Sequence, residues 1–426
     1  MCVDRREFLH VSAGVAGATL IGCSSSTTSE TKADSDVPEF LQGLRPMTDG
    51  IKPITDEERL TRIEKAQKLM VENGLDAVYI ESGSSLFYYT GIRWGNSERM
   101  LAMVMPAKGD IAYVCPGFEE ERARELIRFG DDVRPWEEDE SPYKRVAEIF
   151  KDRGISTGKV GMEERVRFFL FDGIRKEAPN VEYVSADPVT IGCRVTKSPT
   201  ELALMQRAMN ITIEAYKATV KTLHEGMTKG EFRENSRMAH KALGVDGGIG
   251  ANFGEATALP HGSIKPRNLR EGDVVLMDGG CGVDGYRSDI SRTIVFGTPT
   301  QKMRDMWDLE KKAQWAAFEA AKVGVPCEDV DAAARKVLTD AGLGPDYKVP
   351  GCPHRTGHGI GLDGHEWTNF VRGNKTPLAP GMCFSNEPMI VIPGEFGIRL
   401  EDCVYITEDG AKFFTEPSPA IDQPFA

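Results

Sequence analysis

Four acidic residues interrupt apolar, strand-like runs in the second half of the chain, and any fold that buries those runs has to answer for the charges. Asp278 ends Val-Val-Leu-Met, and Asp289 lies in Tyr-Arg-Ser-Asp-Ile-Ser-Arg-Thr. Glu387 follows Cys-Phe-Ser-Asn, and Glu401 lies in Ile-Arg-Leu-Glu-Asp-Cys-Val. A carboxylate on a buried strand is costly unless it is paired or metal-bound. Four of them together with an imidazole call for a cation. Imidazoles are at hand: His261, His354, His358 and His365 all stand beside Gly or Pro, in the turn-like, polar surroundings where functional groups gather.

Local signals outline the frame around these residues. Leu60, Ile63, Ala66 and Met70 recur at helical spacing, Asn73-Gly74 stops the helix, and the run 75–80 reads as a buried strand. Short apolar runs at 101–105 and 111–115 alternate with helical stretches at 119–129 and 143–153, which predicts an α/β domain over residues 55–190. Ser198-Pro199-Thr200-Glu201 is a capping box with proline at the first helical position. It opens a long helix whose apolar face reads Leu202, Met205, Met209, Ile213, Tyr216 and Val220. Thr228-Lys229-Gly230-Glu231 caps another helix in the same way. Further helices are expected at 302–322 and 328–341, with strands at 274–278, 286–296, 382–387 and 396–406. Residues 195–420 therefore form a second, α+β domain that carries the acids.

The beginning of the chain reads as an address rather than as fold. Arg5-Arg6-Glu7-Phe8-Leu9 precedes a short apolar run from Val11 to Gly22, as in a bacterial twin-arginine export signal. Leu20-Ile21-Gly22-Cys23 resembles a lipobox, so residues 1–22 would be removed, Cys23 lipidated, and the protein anchored in the cell envelope, on the periplasmic side or at the cell surface. Residues 23–54, rich in Ser, Thr, Asp, Glu and Pro, are expected to form a flexible tether. Of nine cysteines seven then remain, an odd number without close pairing, which is no disulfide framework. With 52 basic and 65 acidic residues the net charge is −13, which excludes non-specific nucleic-acid binding.

The acids and histidines, in their order and with their Gly and Pro punctuation, resemble the pita-bread metallopeptidases: methionine aminopeptidase, prolidase, aminopeptidase P and creatinase. That resemblance implies five metal ligands, Asp278, Asp289, His358 in Gly-His-Gly-Ile-Gly, Glu387 in Asn-Glu-Pro, and Glu401 in Arg-Leu-Glu-Asp. The segment Arg194 to Glu201 and Tyr89-Thr90-Gly91 are similar to elements of the prolidase and creatinase branch, which implies a creatinase-type N-terminal domain with a mixed sheet and a homodimer. Asp289 and Glu401 would bridge two divalent ions roughly 3.5–4 Å apart, with a shared water becoming hydroxide near neutral pH. Asp278 would hold one ion, and His358 with Glu387 the other. Oxygen-dominated ligands with one imidazole suit manganese, cobalt or zinc, with manganese placed first.

By the same resemblance, His261, seventeen residues before Asp278, contacts the scissile group, and His365, seven after His358, stabilises the tetrahedral intermediate. His354 lines the substrate pocket, and Glu387 doubles as general base. Arg399, two residues before Glu401 and so on its strand face, orients that carboxylate, meets a substrate carboxylate, or forms a structural ion pair. Asn386 and Met389 depart from the usual Ile/Val and Gly beside Glu387, and are expected to reshape the substrate pocket. The expected activity is hydrolysis of the bond before proline, in Xaa-Pro dipeptides or at the N-terminus of Xaa-Pro peptides. The alternatives are a hydrolase or lyase of a small non-peptide molecule on the same scaffold and a metal-free binding module. The lyase branch carries an extra aspartate two residues after the first ligand, where this chain has Gly280. Five intact ligands oppose the binding module.

Overall fold

A complete capping box starts the first domain: Thr55 accepts the Glu58 amide at 3.2 Å, and Glu58 accepts the Thr55 amide at 2.9 Å. The computed structural model describes residues 37–425. The expected export signal, with Arg5, Arg6 and Cys23, lies outside these described residues. From the box runs helix α1 (Asp56–Glu72), which ends at Gly74 in a left-handed turn (φ +65°) and feeds β1 (Ala77–Glu81). There follow α2 (Ser84–Thr90), β2 (Ala102–Pro106), β3 (Ala112–Pro116), α3 (Glu120–Leu126), β4 (Asp132–Trp136) and α4 (Pro142–Asp152). The domain closes with β5 (Lys159–Met162), α5 (Phe168–Glu177), β6 (Glu182–Ser185) and α6 (Asp187–Arg194).

The sheet order is β4-β3-β2-β1-β5-β6, antiparallel at β1–β2 and β2–β3 and parallel elsewhere, so the sheet is mixed. Alternation along β1 sends Ala77 and Tyr79 to a core with Ile149 and Phe150 of α4. Val78 and Ile80 face the other way, toward Ile63, Ala66 and Met70 of α1. That second core continues into the next domain.

The second domain opens with the expected box: Ser198 accepts the Glu201 amide at 3.3 Å, and Glu201 accepts the Ser198 amide at 2.7 Å. Helix α7 (Pro199–Val220) buries a broader face than the apolar pattern outlined, taking in Leu204, Ala208, Ile211 and Ala215 while Leu202, Ile213 and Val220 stay partly exposed. Helix α8 (Lys229–Ala242) has only half of its expected box. Thr228 caps the Glu231 amide, but the Glu231 carboxylate turns to His224, 3.6 Å away.

Next come β7 (Gly247–Phe253), β8 (Val274–Val283), β9 (Tyr286–Arg287), β10 (Ile290–Val295), α9 (Gln301–Ala320) and α10 (Cys327–Asp340). The chain ends in short strands: β11 (Gly357–Gly359), β12 (Glu366–Phe370), β13 (Cys383–Asn386), β14 (Met389–Ile392), β15 (Phe396–Arg399), β16 (Asp402–Thr407) and β17 (Gly410–Phe413). Sheets β10-β8-β7 and β12-β11-β13-β16-β17 are joined by a bridge between Ser291 and Glu401, each amide meeting the other's carbonyl at 3.2 Å. The strands expected at 286–296 and 396–406 are each interrupted at the acid: β9 ends at Arg287 and β10 starts at Ile290, while β15 ends at Arg399 and β16 starts at Asp402, with Glu401 between them pairing to Ser291.

The tether expected to reach residue 54 is shorter in the described residues. Phe40, Leu41, Leu44, Met47 and Ile51 pack against the main core, and Ile54 is buried. The Met47 amide donates to the Leu243 carbonyl at 2.9 Å, and Arg207 donates to the Met47 carbonyl at 2.7 Å. Five apolar side chains among the polar ones offer enough surface to offset the ordering of so short a segment. All seven cysteines among the described residues are buried and free, and no helix there is long and apolar enough to cross a membrane.

Candidate active site

Strand alternation brings the acids together. Asp278 on β8 pairs in register with Ser291 on β10, and Ser291 bridges on its other side to Glu401, so one serine stands between two acids. Its hydroxyl lies 2.6 Å from Glu401 Oε2 and 3.2 Å from Asp278 Oδ1, and it accepts from Arg399 Nε at 3.1 Å. Ser385 of β13 and Glu387, the residue just past its end, share a face; Ser385 Oγ accepts the His358 amide at 3.0 Å and donates to Glu387 Oε1 at 3.1 Å. The glycines flanking His358 are required by packing. A Cβ at Gly357 would stand 2.1 Å from the Ser385 carbonyl oxygen, and one at Gly359 would stand 2.7 Å from that of Glu366.

The nine residues expected to bind metal or substrate or to act in catalysis, His261, Asp278, Asp289, His354, His358, His365, Glu387, Arg399 and Glu401, border one cavity of about 510 Å³. Donor atoms of three sets lie within 4.8 Å of one another: Asp278, Asp289 and Glu401; His358, Glu387 and Glu401; and Asp289, His358 and His365. Asp289, His358 and Glu401 each belong to two sets, and of these the two carboxylates offer two ligating oxygens apiece. His358 Nδ1 donates to the Gly359 carbonyl at 3.0 Å, since a carbonyl only accepts. This leaves Nε2 facing Glu387 Oε1 at 3.2 Å and Asp289 Oδ2 at 3.8 Å, where its proton bonds Glu387 and its lone pair, once that proton is displaced, has the orientation of a ligating imidazole.

The charges do not balance within the protein. Burial and the Asp278 charge push the Asp289 carboxyl up to about 7. Burial and then Asp289 hold Glu401 well above the carboxylate range. Burial would raise Glu387 too, but the His358 bond and the Arg399 charge keep it well below. Burial would lower His358, yet Glu387 and Asp289 raise it. Four carboxylates thus crowd around one directly paired guanidinium, that of Arg399, with ligating oxygens in excess. The donor set fits divalent cations.

The remaining predicted residues take distinct places. Arg399, 4% exposed, directs its guanidinium to Asp278 at 2.6 Å, with Glu387 at 3.9 Å, so within this arrangement it braces carboxylates across the site. His354 donates from Nδ1 to the Arg355 carbonyl at 2.7 Å; its Nε2 is buried with no partner among the described residues, and burial lowers its pKa. His365 stacks on His358 with ring centroids 3.9 Å apart, and burial with the His358 charge lowers its pKa. Arg355 donates to its Nδ1 at 3.3 Å, which places the ring proton on Nε2. His261 sits exposed at the rim.

Two expectations are corrected. Asn386 and Met389 do not border the cavity. Asn386 alternates with Glu387 and points the other way, donating to the Gln314 carbonyl at 2.8 Å, and Met389 is buried against Ala258, Leu276 and Val391. Four residues of this region escaped the sequence reading: Ser291, Ser385, Arg355 and Tyr347. For the serines a signal existed, since each stands two residues from an acid and therefore on its face. Tyr347 and Arg355 lie in turns without a period, and only the fold brings them to the cavity.

The chain matches metallopeptidase family M24 over residues 203–408 and the creatinase/prolidase N-terminal domain over residues 62–196. It is 32% identical to the Xaa-Pro dipeptidase of Lactobacillus delbrueckii subsp. lactis, over 84% of this chain and 98% of that protein. Among solved structures it is similar to dipeptidase PepE from Mycobacterium ulcerans, with a TM-score of 0.79 and 32% identity, covering 86% of this chain and 97% of the other. It is also similar to a recombinant prolidase from Thermococcus sibiricus, with a TM-score of 0.78 and 29% identity, covering 84% and 97%.

Proposed function

This chain belongs to metallopeptidase family M24, and from that premise we propose that it hydrolyses the peptide bond before proline, with Xaa-Pro dipeptides as its first substrates and two divalent cations in the acidic cluster. One observation carries the reading: five side chains of ligating chemistry and three further imidazoles border a single cavity. Asp289 and Glu401 would be shared between the ions, with Asp278 on one side and His358 and Glu387 on the other. When bound, such ions act as Lewis acids toward a carbonyl and lower the pKa of water to near neutrality.

The protein's own groups then bind, orient and move protons. Glu387, ionised and held by Ser385, accepts the proton of the attacking water. His365, its proton on Nε2, donates to the oxygen that gains charge as the scissile carbonyl becomes tetrahedral. The His354 Nε2 lone pair, unpartnered and buried, receives a donor from the substrate. His261 closes the rim over the scissile group.

The names of the relatives support a dipeptidase, and Gly280 weighs against a lyase. A Cβ there would meet the Ser288 carbonyl oxygen at 2.1 Å, so the extra aspartate of that branch has no room. The test is turnover of Gly-Pro, Ala-Pro and a longer Xaa-Pro peptide by metal-stripped protein, with and without manganese, cobalt or zinc. Metal-restored cleavage before proline, faster for the dipeptides, is expected. Protein shown to hold two metals that cleaves none of the three would refute the reading.

A further inference from the structure

The backbone beneath His365 is held by the residue that follows it. Glu366 Oε1 accepts the amides of Leu362 at 2.9 Å and Asp363 at 3.3 Å, which closes the turn 361–366 on itself. The same carboxylate is gripped from outside by Lys197 Nζ, 2.9 Å from Oε2, and by the Arg194 guanidinium on Oε1. In the same turn Asp363 receives Arg194 at 2.8 Å, Ser84 Oγ at 2.7 Å and Arg165 at 3.2 Å. A Cβ at Gly361 would stand 2.6 Å from Glu366 Oε2 and 2.8 Å from Lys197 Cε, so the packing leaves no slack.

Every charged partner of Asp363 and Glu366 among the described residues comes from the first domain or from the segment that joins the two domains. Side-chain exposure is 2% for Lys197 and 6% for Glu366, so both charges are desolvated. Desolvating two cations and a carboxylate is a dear way to fasten two domains that already share an apolar core. It is a good way to hold one atom still, because hydrogen-bonded charge pairs are short and directional.

We propose that Lys197 and Arg194 are positioning residues for His365: acting through Glu366, the interdomain segment sets where that imidazole stands over the cavity. The first domain thereby takes part in turnover. The inference rests on the reading of His365 as the donor to the tetrahedral species, and it is tested so that the two can fail separately.

The experiment is a double-mutant cycle on the full-length, metal-loaded protein with Ala-Pro, combining Lys197→Met with His365→Ala. Lys197→Met alone should lower kcat by about tenfold with KM and metal content near the parent values, since a small misplacement of a catalytic group costs rate rather than binding. Lys197→Arg should recover most of the loss. In the His365→Ala background Lys197→Met should cost nothing further; equal losses in both backgrounds would overturn the proposal. Independently of turnover, the ring nitrogen signals of His365 in histidine-labelled protein, assigned by difference from His365→Ala, should shift in Lys197→Met. Unchanged signals would overturn it as well. Should Lys197→Met not fold, Glu366→Gln goes through the same cycle, with loss expected only when His365 is present. Parent protein that leaves Ala-Pro intact would refute the substrate reading alone, and the ring signals would still decide the positioning role.

Discussion

Burial alone would raise the Glu366 carboxyl, but Lys197 and Arg194 outweigh it and hold the group down at about 2. The folded value lies below the ordinary one, so the ionised form stabilises the fold above the unfolded-chain pKa near 4.5, and that contribution is lost as pH falls from there toward 2. The shift corresponds to roughly 3 kcal/mol at neutral pH. Glu366→Gln should therefore flatten the acid limb of a urea midpoint against pH between about 5 and 2. A limb as steep as the parent's would show that other groups set it. At this scale the sequence was legible where chemistry is rare: a carboxylate at the end of Val-Val-Leu-Met or an imidazole between glycines stands out. Lys197 and Glu366 look like ordinary charged residues, and their pairing across 169 positions leaves no local mark.

The short elements carry the site, and small residues set their spacing. Gly280 on β8 backs directly onto Ser288, the residue before Asp289. Gly280→Ala should force the turn between β8 and β10 outward, costing about 1–3 kcal/mol as overpacking does. It should lower turnover far more than stability, because Asp278 and Asp289 stand on the two sides of that contact. Urea midpoint and kcat measured together check this, and proportionate losses would argue against it. Long elements were readable: α7, α9 and α10 fall within a residue or two of the helices expected, and α1 stops where Asn73-Gly74 indicates but begins four residues before Leu60. The strands β7 and β11, in Gly-Gly-Ile-Gly and Gly-His-Gly, were not, since three glycines or three residues hold no period and their partners define them. Nor did any local pattern show that the strands are interrupted at Asp289 and Glu401, because register depends on the neighbouring strand.

At the scale of the molecule, the two domains meet through one apolar core and through polar locks. Arg62 of α1 lies 3.3 Å from Glu201 of α7 and donates to Tyr286 OH at 3.1 Å, while Tyr286 OH donates to Glu201 at 2.7 Å. The segment 40–54 adds a further strap over α7 and the end of α8. A chain beginning at Phe40 should keep the parent's melting temperature and turnover and, if Cys23 anchors the full chain, should move from the membrane fraction of cells to the soluble one. A chain beginning at Thr55 should lose on the order of 3 kcal/mol for the apolar burial and the two Met47 bonds. Equal stability of both truncations would contradict the docked segment, and membrane retention of the first would contradict anchoring through Cys23. By itself, the sequence determined much of the inventory: the long helices, where the chain turns, and the nine groups that border the cavity. Capping, periodicity and the cost of a charge on an apolar strand all act within a few residues. Only the tertiary structure decided which groups meet, that Arg399 braces Asp278, that Asn386 turns away from the cavity, and that Lys197 holds Glu366. Those pairings join residues far apart along the chain, and what selects them is the packing of whole sheets and helices, where a buried charge must find the one partner the fold brings within reach.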